Sequence, residues 1–124
     1  MEILLKYPPQ KVFIGGGRRD GIEAILADRN GASNPWAGIL ADIGPDNVRF
    51  IPYALFDWGR FGAESVLQIL WAALNIHPDI FADPASPDYI DLHRETKDFY
   101  TNFAGYPITD AEVADILNGR PPNR

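Results

Sequence analysis

Four acidic side chains recur at helical spacing in the second half of the sequence. They are Asp88, Asp91, Glu95 and Asp98, at positions i, i+3, i+7 and i+10. A helix would place all four on one face, where like charges repel by a few tenths of a kcal/mol per pair. The stripe therefore does not stabilise an isolated helix. An ordinary solvated helix face accounts for the pattern, and the functional alternative is a docking surface for a basic protein.

Aromatic side chains near the acidic stripe are the expected anchors of such a surface, because large aromatics dominate the energetics of protein interfaces. The candidates are Tyr89, Tyr100, Trp58 and Phe61. An acidic surface competes with phosphates for the arginines and lysines of a nucleic-acid-binding protein. The leading hypothesis is therefore a small acidic protein-binding module, such as an inhibitor of the phage anti-defence or immunity type. It would dock a basic nucleic-acid-binding partner without itself binding nucleic acid.

A glycine-rich segment, GGGRRDG at 15–21, offers a second kind of site. Its candidate ligand-binding residues are Gly15, Gly16, Gly17, Arg18 and Arg19. Backbone N–H groups in such a turn can cradle a phosphate, and the arginines add positive charge. Asp20 breaks the GxGxxG dinucleotide pattern, and a Rossmann unit needs a parallel sheet rather than the hairpins predicted below. The segment KVFIGGGRRDG resembles the first strand and loop of TIR-like nucleotide-binding domains over about ten residues, and a nucleotide- or phosphate-ligand-binding protein is the first alternative.

No combination of side chains in the sequence forms a recognised catalytic or metal-binding pattern. The two histidines, His77 and His93, lack HxxxH or HExxH spacing, and the chain has no cysteine. No serine stands in a GxSxG elbow. Glu64, at the start of a predicted helix, is the carboxylate closest to a buried setting, and capping that helix is its simplest role. The sequence thus predicts no catalytic residue, no metal and no cofactor, and it leans against an enzyme without excluding one.

The balance of charge narrows the classes of protein. The 124 residues include 11 Lys+Arg and 17 Asp+Glu, a formal net charge of −6. Residues 1–62 hold seven basic and seven acidic side chains, whereas residues 63–124 hold four and ten, so the second half carries the whole imbalance. An acidic chain argues against binding by phosphate neutralisation, and the lack of cysteine excludes disulfide scaffolds. Neither a signal-peptide pattern nor an apolar run of about 20 residues is visible, so we expect a cytoplasmic protein with no membrane partner.

The hydrophobic pattern predicts the elements that would position these residues. The predicted strands are 2–7, 11–14, 36–43 and 48–55, and the predicted helices are 21–28, 63–75, 88–103 and a last one capped by Thr109. Turn residues separate the two strands of each pair, at 8–10 and at 44–47. The fold class that follows is α+β, with a small, mostly antiparallel sheet of two hairpins. About four helices, concentrated in the C-terminal half, would cover it.

Two of the predicted helices carry specific expectations. Helix 63–75 is apolar on nearly every side, which is typical of a buried central helix. Its predicted core residues are Val66, Ile69, Leu70, Trp71 and Leu74. The last helix has a capping-box pair, Thr109 and Glu112, and ends at Gly119. We expect one domain over 1–119 and a flexible tail over 120–124, with a homodimer formed through the aromatic segment 56–61 as a further alternative.

Overall fold

Two short strands and five α-helices are delimited in the computed structural model, which describes residues 6–15, 19, 23–24, 27, 35–55, 57–60 and 62–120. The strands are β1 (Val12–Ile14) and β2 (Val48–Phe50). The helices are α1 (Pro35–Ile43), α2 (Ser65–Ile76), α3 (Pro78–Phe81), α4 (Leu92–Asp98) and α5 (Asp110–Leu117). A 3-10 turn, Pro45–Asn47, precedes β2, and a π-helical turn, Phe99–Phe103, continues α4.

The strands β1 and β2 pair in parallel, with Val12 opposite Val48 and Ile14 opposite Phe50. The predicted antiparallel sheet of two hairpins is therefore wrong. A parallel pair needs a connection that returns to the same end of the sheet, and here that connection includes α1. The predicted strand 11–14 corresponds to β1, and strand 48–55 shortens to three residues. Most of strand 2–7 and of helix 21–28 lies outside the described residues.

Residues 36–43, predicted as a strand, form the helix α1. Trp36, Ile39, Leu40 and Ile43 stand at i, i+3, i+4 and i+7, so the apolar side chains follow the helical period. Pro35 occupies the first helical position, where its missing N–H costs no intrahelical hydrogen bond. Ile39 and Leu40 are buried. The turn at 44–47 consequently joins a helix to a strand rather than two strands.

Helix α2 buries one face only. Leu67 (2% exposed) and Trp71 belong to the core, where Trp71 packs edge-on against Phe13 of β1 with 5.1 Å between the ring centroids. Val66 and Ile69 are 52% and 68% exposed, so the prediction of a helix buried all round is wrong. Among the described residues, two three-residue strands provide no second layer that would cover the outer face of α2.

Helix α4 is shorter than the predicted helix 88–103. It begins after Asp91, whose carboxylate accepts a hydrogen bond from the Arg94 N–H at 3.1 Å as an N-cap. Asp88 precedes the helix, in a turn. The last five predicted positions form the π-helical turn, which places Tyr100 in the core.

Helix α5 begins with the capping box that the sequence predicts. The Thr109 hydroxyl accepts from the Glu112 N–H at 3.3 Å, and the Glu112 carboxylate accepts from the Thr109 N–H at 2.8 Å. Val113 and Ile116 are buried in the core, and Gly119, with φ 69°, ends the helix. The domain limits 1–119 stay a prediction, and 121–124 of the predicted tail lie outside the described residues.

Candidate functional site

The carboxyl ends of both strands meet at one edge of the small sheet. Directly after the paired residues, the Ile51 N–H donates to the Ile14 carbonyl at 2.7 Å, so the backbone segments that follow the two strands leave the sheet side by side. Ligands of sheets with parallel strands commonly bind in the crevice outside the carboxyl ends of the strands. The parallel pairing removes the objection that the predicted hairpins raised to a ligand site at the glycine-rich segment.

Asp57 fixes the backbone at this edge. Its Oδ1 accepts from the Gly59 N–H at 2.7 Å. A Cβ atom on Gly59 would lie 3.0 Å from Oδ1, and a Cβ on Gly15 would lie 3.2 Å from Oδ2. Both positions therefore favour glycine because the carboxylate occupies the space that a side chain needs. The neighbouring candidates Gly16, Gly17 and Arg18 lie outside the described residues.

A groove of about 500 Å³ runs beside β2. Its lining comes from the segment after β1, from β2, from α2, from the start of α4 and from the end of α5. The lining residues are Arg19, Glu23, Pro45, Val48, Arg49, Phe50, Trp71, Leu74, Asn75, Leu92, Leu117 and Asn118. A volume of this size falls in the range of small-molecule sites, and elements distant in sequence must fold together to form it.

Arg19 enters the groove with its charge compensated. Its Nε lies 2.5 Å from a carboxylate oxygen of Glu23, and Nη1 donates to the Asn118 carbonyl at the end of α5. The guanidinium carbon also lies 4.9 Å from the ring centroid of Phe50, as in a cation–π contact. Arg19 therefore ties the segment after β1 to β2 and to α5, rather than projecting from a loop as an isolated charge.

Arg49 enters the groove without a carboxylate partner among the described residues. Its Nε donates to the Asn75 side-chain carbonyl at 3.1 Å, and Nη1 donates to the Val48 carbonyl at 3.4 Å. Asn75 is itself fixed, because its amide donates to the Trp71 carbonyl at 2.8 Å and its backbone carbonyl accepts from Lys11 Nζ at 2.5 Å. The remaining guanidinium N–H groups of Arg49 have no hydrogen-bond partner in the part of the chain that the structure describes. The guanidinium of the half-buried Arg49 is thus held in place, and no described residue uses its remaining donors.

The four residues of the acidic stripe are not a single free surface. Asp91 caps α4, and Glu95 pairs with Arg94 at 3.0 Å. Asp88 lies before the helix, so it does not continue the helical face as predicted, while Asp98 is exposed. The charge available to a basic partner is therefore smaller than the sequence spacing indicates.

The predicted aromatic anchors are placed differently from one another. Trp58 is fully buried in the core, in one cluster with Leu67 and Val113, and so presents no surface in this structure. Tyr100 is buried as well, whereas Tyr89 is 41% exposed. Phe61 lies outside the described residues. Of the described candidates, Tyr89 alone keeps the exposure that the docking hypothesis requires.

A buried polar cluster joins the start of α2 to the π-helical turn. Glu64 is 4% exposed; its carboxylate accepts from the Tyr100 hydroxyl and from the Leu55 N–H at 3.3 Å. It makes no side-chain capping bond to α2, so the predicted capping role is wrong. Burial raises the pKa of the Tyr100 hydroxyl far above its ordinary value, and the hydrogen bond to Glu64 adds to the rise. The neighbouring Trp58 indole N–H favours the ionised hydroxyl and opposes part of this shift in pKa.

The sequence missed both Arg49 and the Glu64–Tyr100 contact. Arg49 is an isolated charge inside an apolar run, VRFIP, and that interruption is the signal that could have marked it. The Glu64–Tyr100 contact joins residues 36 positions apart, and no local pattern encodes it. Among the described residues, no three His, Cys, Asp or Glu side chains lie close enough together to hold a metal ion.

Comparison of the chain with protein-family models, with curated proteins and with solved structures found no match. None of the helices in the described ranges is long and apolar enough to cross a bilayer.

Proposed function

We propose that this chain binds a small anionic ligand in the groove beside β2 and performs no chemistry on it. The observation that supports the proposal is Arg49, a half-buried guanidinium that faces a 500 Å³ groove and has no carboxylate partner among the described residues. Arg49 would supply the charge-assisted hydrogen bonds, and Asn75 would hold its guanidinium in position. Arg19 would form the opposite wall.

The cost of placing Arg49 there supports a ligand. Withdrawing a charge from water without an opposite charge is unfavourable, and buried charges are normally paired. Here the hydrogen bonds to Asn75 and Val48 satisfy part of the guanidinium and neutralise none of its charge. A bound anion would supply the missing partner, and an arginine offers two parallel N–H donors to a carboxylate or phosphate.

The topology supports the same site. Arg19 follows the carboxyl end of β1 in the sequence, and its guanidinium carbon lies 4.9 Å from the ring centroid of Phe50 in β2. The ligand-binding alternative predicted from the glycine-rich segment is thus kept, but the ligand is placed in the groove that Arg19 helps to line rather than against the glycines.

The test compares Arg49→Gln with Arg94→Gln, a control that removes an exposed arginine outside the groove. Acetate and inorganic phosphate are titrated separately at constant ionic strength, and backbone amide chemical shifts are followed by NMR. We expect at least one anion to shift the Val48, Phe50, Asn75 and Asn118 amides. Arg49→Gln should weaken that binding roughly 10- to 100-fold, the value of one charge-assisted hydrogen bond, and Arg94→Gln should leave it unchanged.

Unfolding by urea distinguishes this role from a structural one. Because no described residue pairs with the charge of Arg49 in the free protein, Arg49→Gln should leave the free energy of unfolding unchanged or raise it slightly. If Arg49 instead stabilised the fold, Arg49→Gln should lower the free energy of unfolding. Absence of any Arg49-dependent shift with either anion would overturn the proposal.

Docking of a basic nucleic-acid-binding partner stays a prediction, as does the cytoplasmic location. The net charge of −6 supports the docking hypothesis, whereas the buried Trp58 and the local pairing of Glu95 reduce its predicted surface. We therefore rank it behind the ligand groove.

A further inference from the structure

The lining of the groove beside β2 combines polar and apolar residues. The polar residues are Arg19, Glu23, Arg49, Asn75 and Asn118. The apolar part is formed by Val48, Phe50, Trp71, Leu74, Leu92 and Leu117. Leu74, Leu92 and Leu117 are each half-buried, so they keep apolar surface that a ligand would remove from water.

The charge of the described lining residues limits the charge of the ligand. Arg19 and Arg49 are positive and Glu23 is negative, which leaves a net charge of +1. Glu23 also pairs directly with Arg19 at 2.5 Å, so Arg49 is the cation of this lining that a ligand would meet unpaired. A second negative charge on the ligand would find no further unpaired cation in the described lining. The charges of the described lining therefore favour a monoanion over a polyphosphate or a dicarboxylate.

We propose that the ligand is a monocarboxylate with an apolar body, a proposal that rests on the proposed anion-binding function of this groove. Its carboxylate meets the Arg49 guanidinium, whose planar donors match the two carboxylate oxygens. Its hydrocarbon part lies against the side chains of Leu74, Leu92 and Leu117. A phosphate monoester fits less well, because its second charge meets no further unpaired cation in the described lining.

The test uses straight-chain carboxylates from acetate to octanoate, each below its critical micelle concentration, with inorganic phosphate and hexanedioate as contrasts. Burial of one methylene corresponds to about 0.8 kcal/mol, or roughly a fourfold gain in affinity. We expect the dissociation constant measured by NMR titration to fall by up to that factor for each added methylene until the groove is filled. Hexanedioate should bind more weakly than hexanoate, and phosphate should bind more weakly than octanoate.

Two variants locate the effect. Leu74→Ala should reduce the gain per methylene, while Ile69→Ala, on the exposed face of the same helix, should leave it unchanged. Urea unfolding of both variants confirms that they fold. Arg49-dependent binding of acetate or phosphate with no gain along the carboxylate series would overturn the ligand class and leave the anion-binding function standing. Absence of Arg49-dependent binding by any of these anions would overturn both.

Discussion

Replacing Gly119 by alanine tests how tightly the end of α5 is held against β2. Gly119 has φ 69°, in the left-handed region where a side chain costs about 1–2 kcal/mol. A Cβ atom at this position would also lie 2.6 Å from the Phe50 Cβ. That atom is attached directly to the backbone of β2 and cannot swing away, so the strand or the helix end must move. Overpacking of this kind costs about 1–3 kcal/mol, and Gly119→Ala should lose about 2–5 kcal/mol of unfolding free energy in total.

Gly105 supplies the matched control, because it has nearly the same backbone angle without the close neighbour. Its φ is 67°, and a Cβ atom added to it would meet no described atom within 4 Å. Gly105→Ala should therefore lose the conformational part alone, about 1–2 kcal/mol. The difference between the two variants isolates the contact with Phe50.

The assay is equilibrium unfolding in urea, with the transition midpoint and its slope fitted separately for each variant. We expect both variants to keep the slope of the natural sequence and to differ in midpoint. Thermal unfolding gives a second reading, at about 3–6 °C per kcal/mol for a chain of this size. Equal losses for Gly119→Ala and Gly105→Ala would refute the reasoning, because they would mean that α5 and β2 are not in close contact in solution.

Two further perturbations test the core. Leu67→Ala should cost about 2–5 kcal/mol of unfolding free energy by leaving a cavity, whereas Ile69→Ala should change it by less than about 0.5 kcal/mol. Similar losses for the two variants in urea unfolding would contradict the one-sided burial of α2. The raised pKa of Tyr100 makes the free energy of unfolding depend on pH in the alkaline range. The stabilisation that comes from the protonated Tyr100 is complete below the unfolded-state pKa near 10.0. It is lost as pH rises above that value, because the unfolded tyrosine ionises while the folded one stays protonated. The unfolding free energy should thus fall more steeply above pH 10 in the natural sequence than in Tyr100→Phe, and parallel profiles would show that Tyr100 is not buried against Glu64.

The features that the sequence predicts correctly are local. Thr109 and Glu112 stand three residues apart, and their mutual hydrogen bonds form within a single turn, so the sequence spacing suffices to identify the helix start. Gly119 likewise ends α5 through its own backbone angle. The strand prediction for 36–43 is wrong although the spacing of its apolar residues is helical, because short apolar runs fit a strand and a buried helix equally well.

The features that could not be predicted depend on contacts between distant segments. The pairing of Val12 with Val48 and the convergence of Arg19, Arg49 and Asn118 on one groove follow from the tertiary arrangement. The burial of Trp58 and of Glu64 has the same origin, since each is decided by which helix packs over the loop after β2. The exposure of one face of α2 could not be inferred from the composition of that helix. The sequence pattern predicts a larger sheet than the structure has, and a larger sheet would have covered the helix.

The parallel pairing of β1 with β2 also predicts which part of the molecule folds first and which part folds last. Bringing Val12 to Val48 closes a long loop, at an entropic cost of about 3 kcal/mol, before three-residue strands return any ladder hydrogen bonds. The contact between Lys97 and Asp110, by contrast, spans 13 residues and joins α4 to α5. We therefore expect the C-terminal helices to assemble early and the strand pair to dock late, with hydrogen exchange faster at the β1 amides than at the amides of α4 and α5. The groove beside β2 exists only after that docking, so a bound ligand would stabilise the pairing of β1 with β2, which we expect to form last.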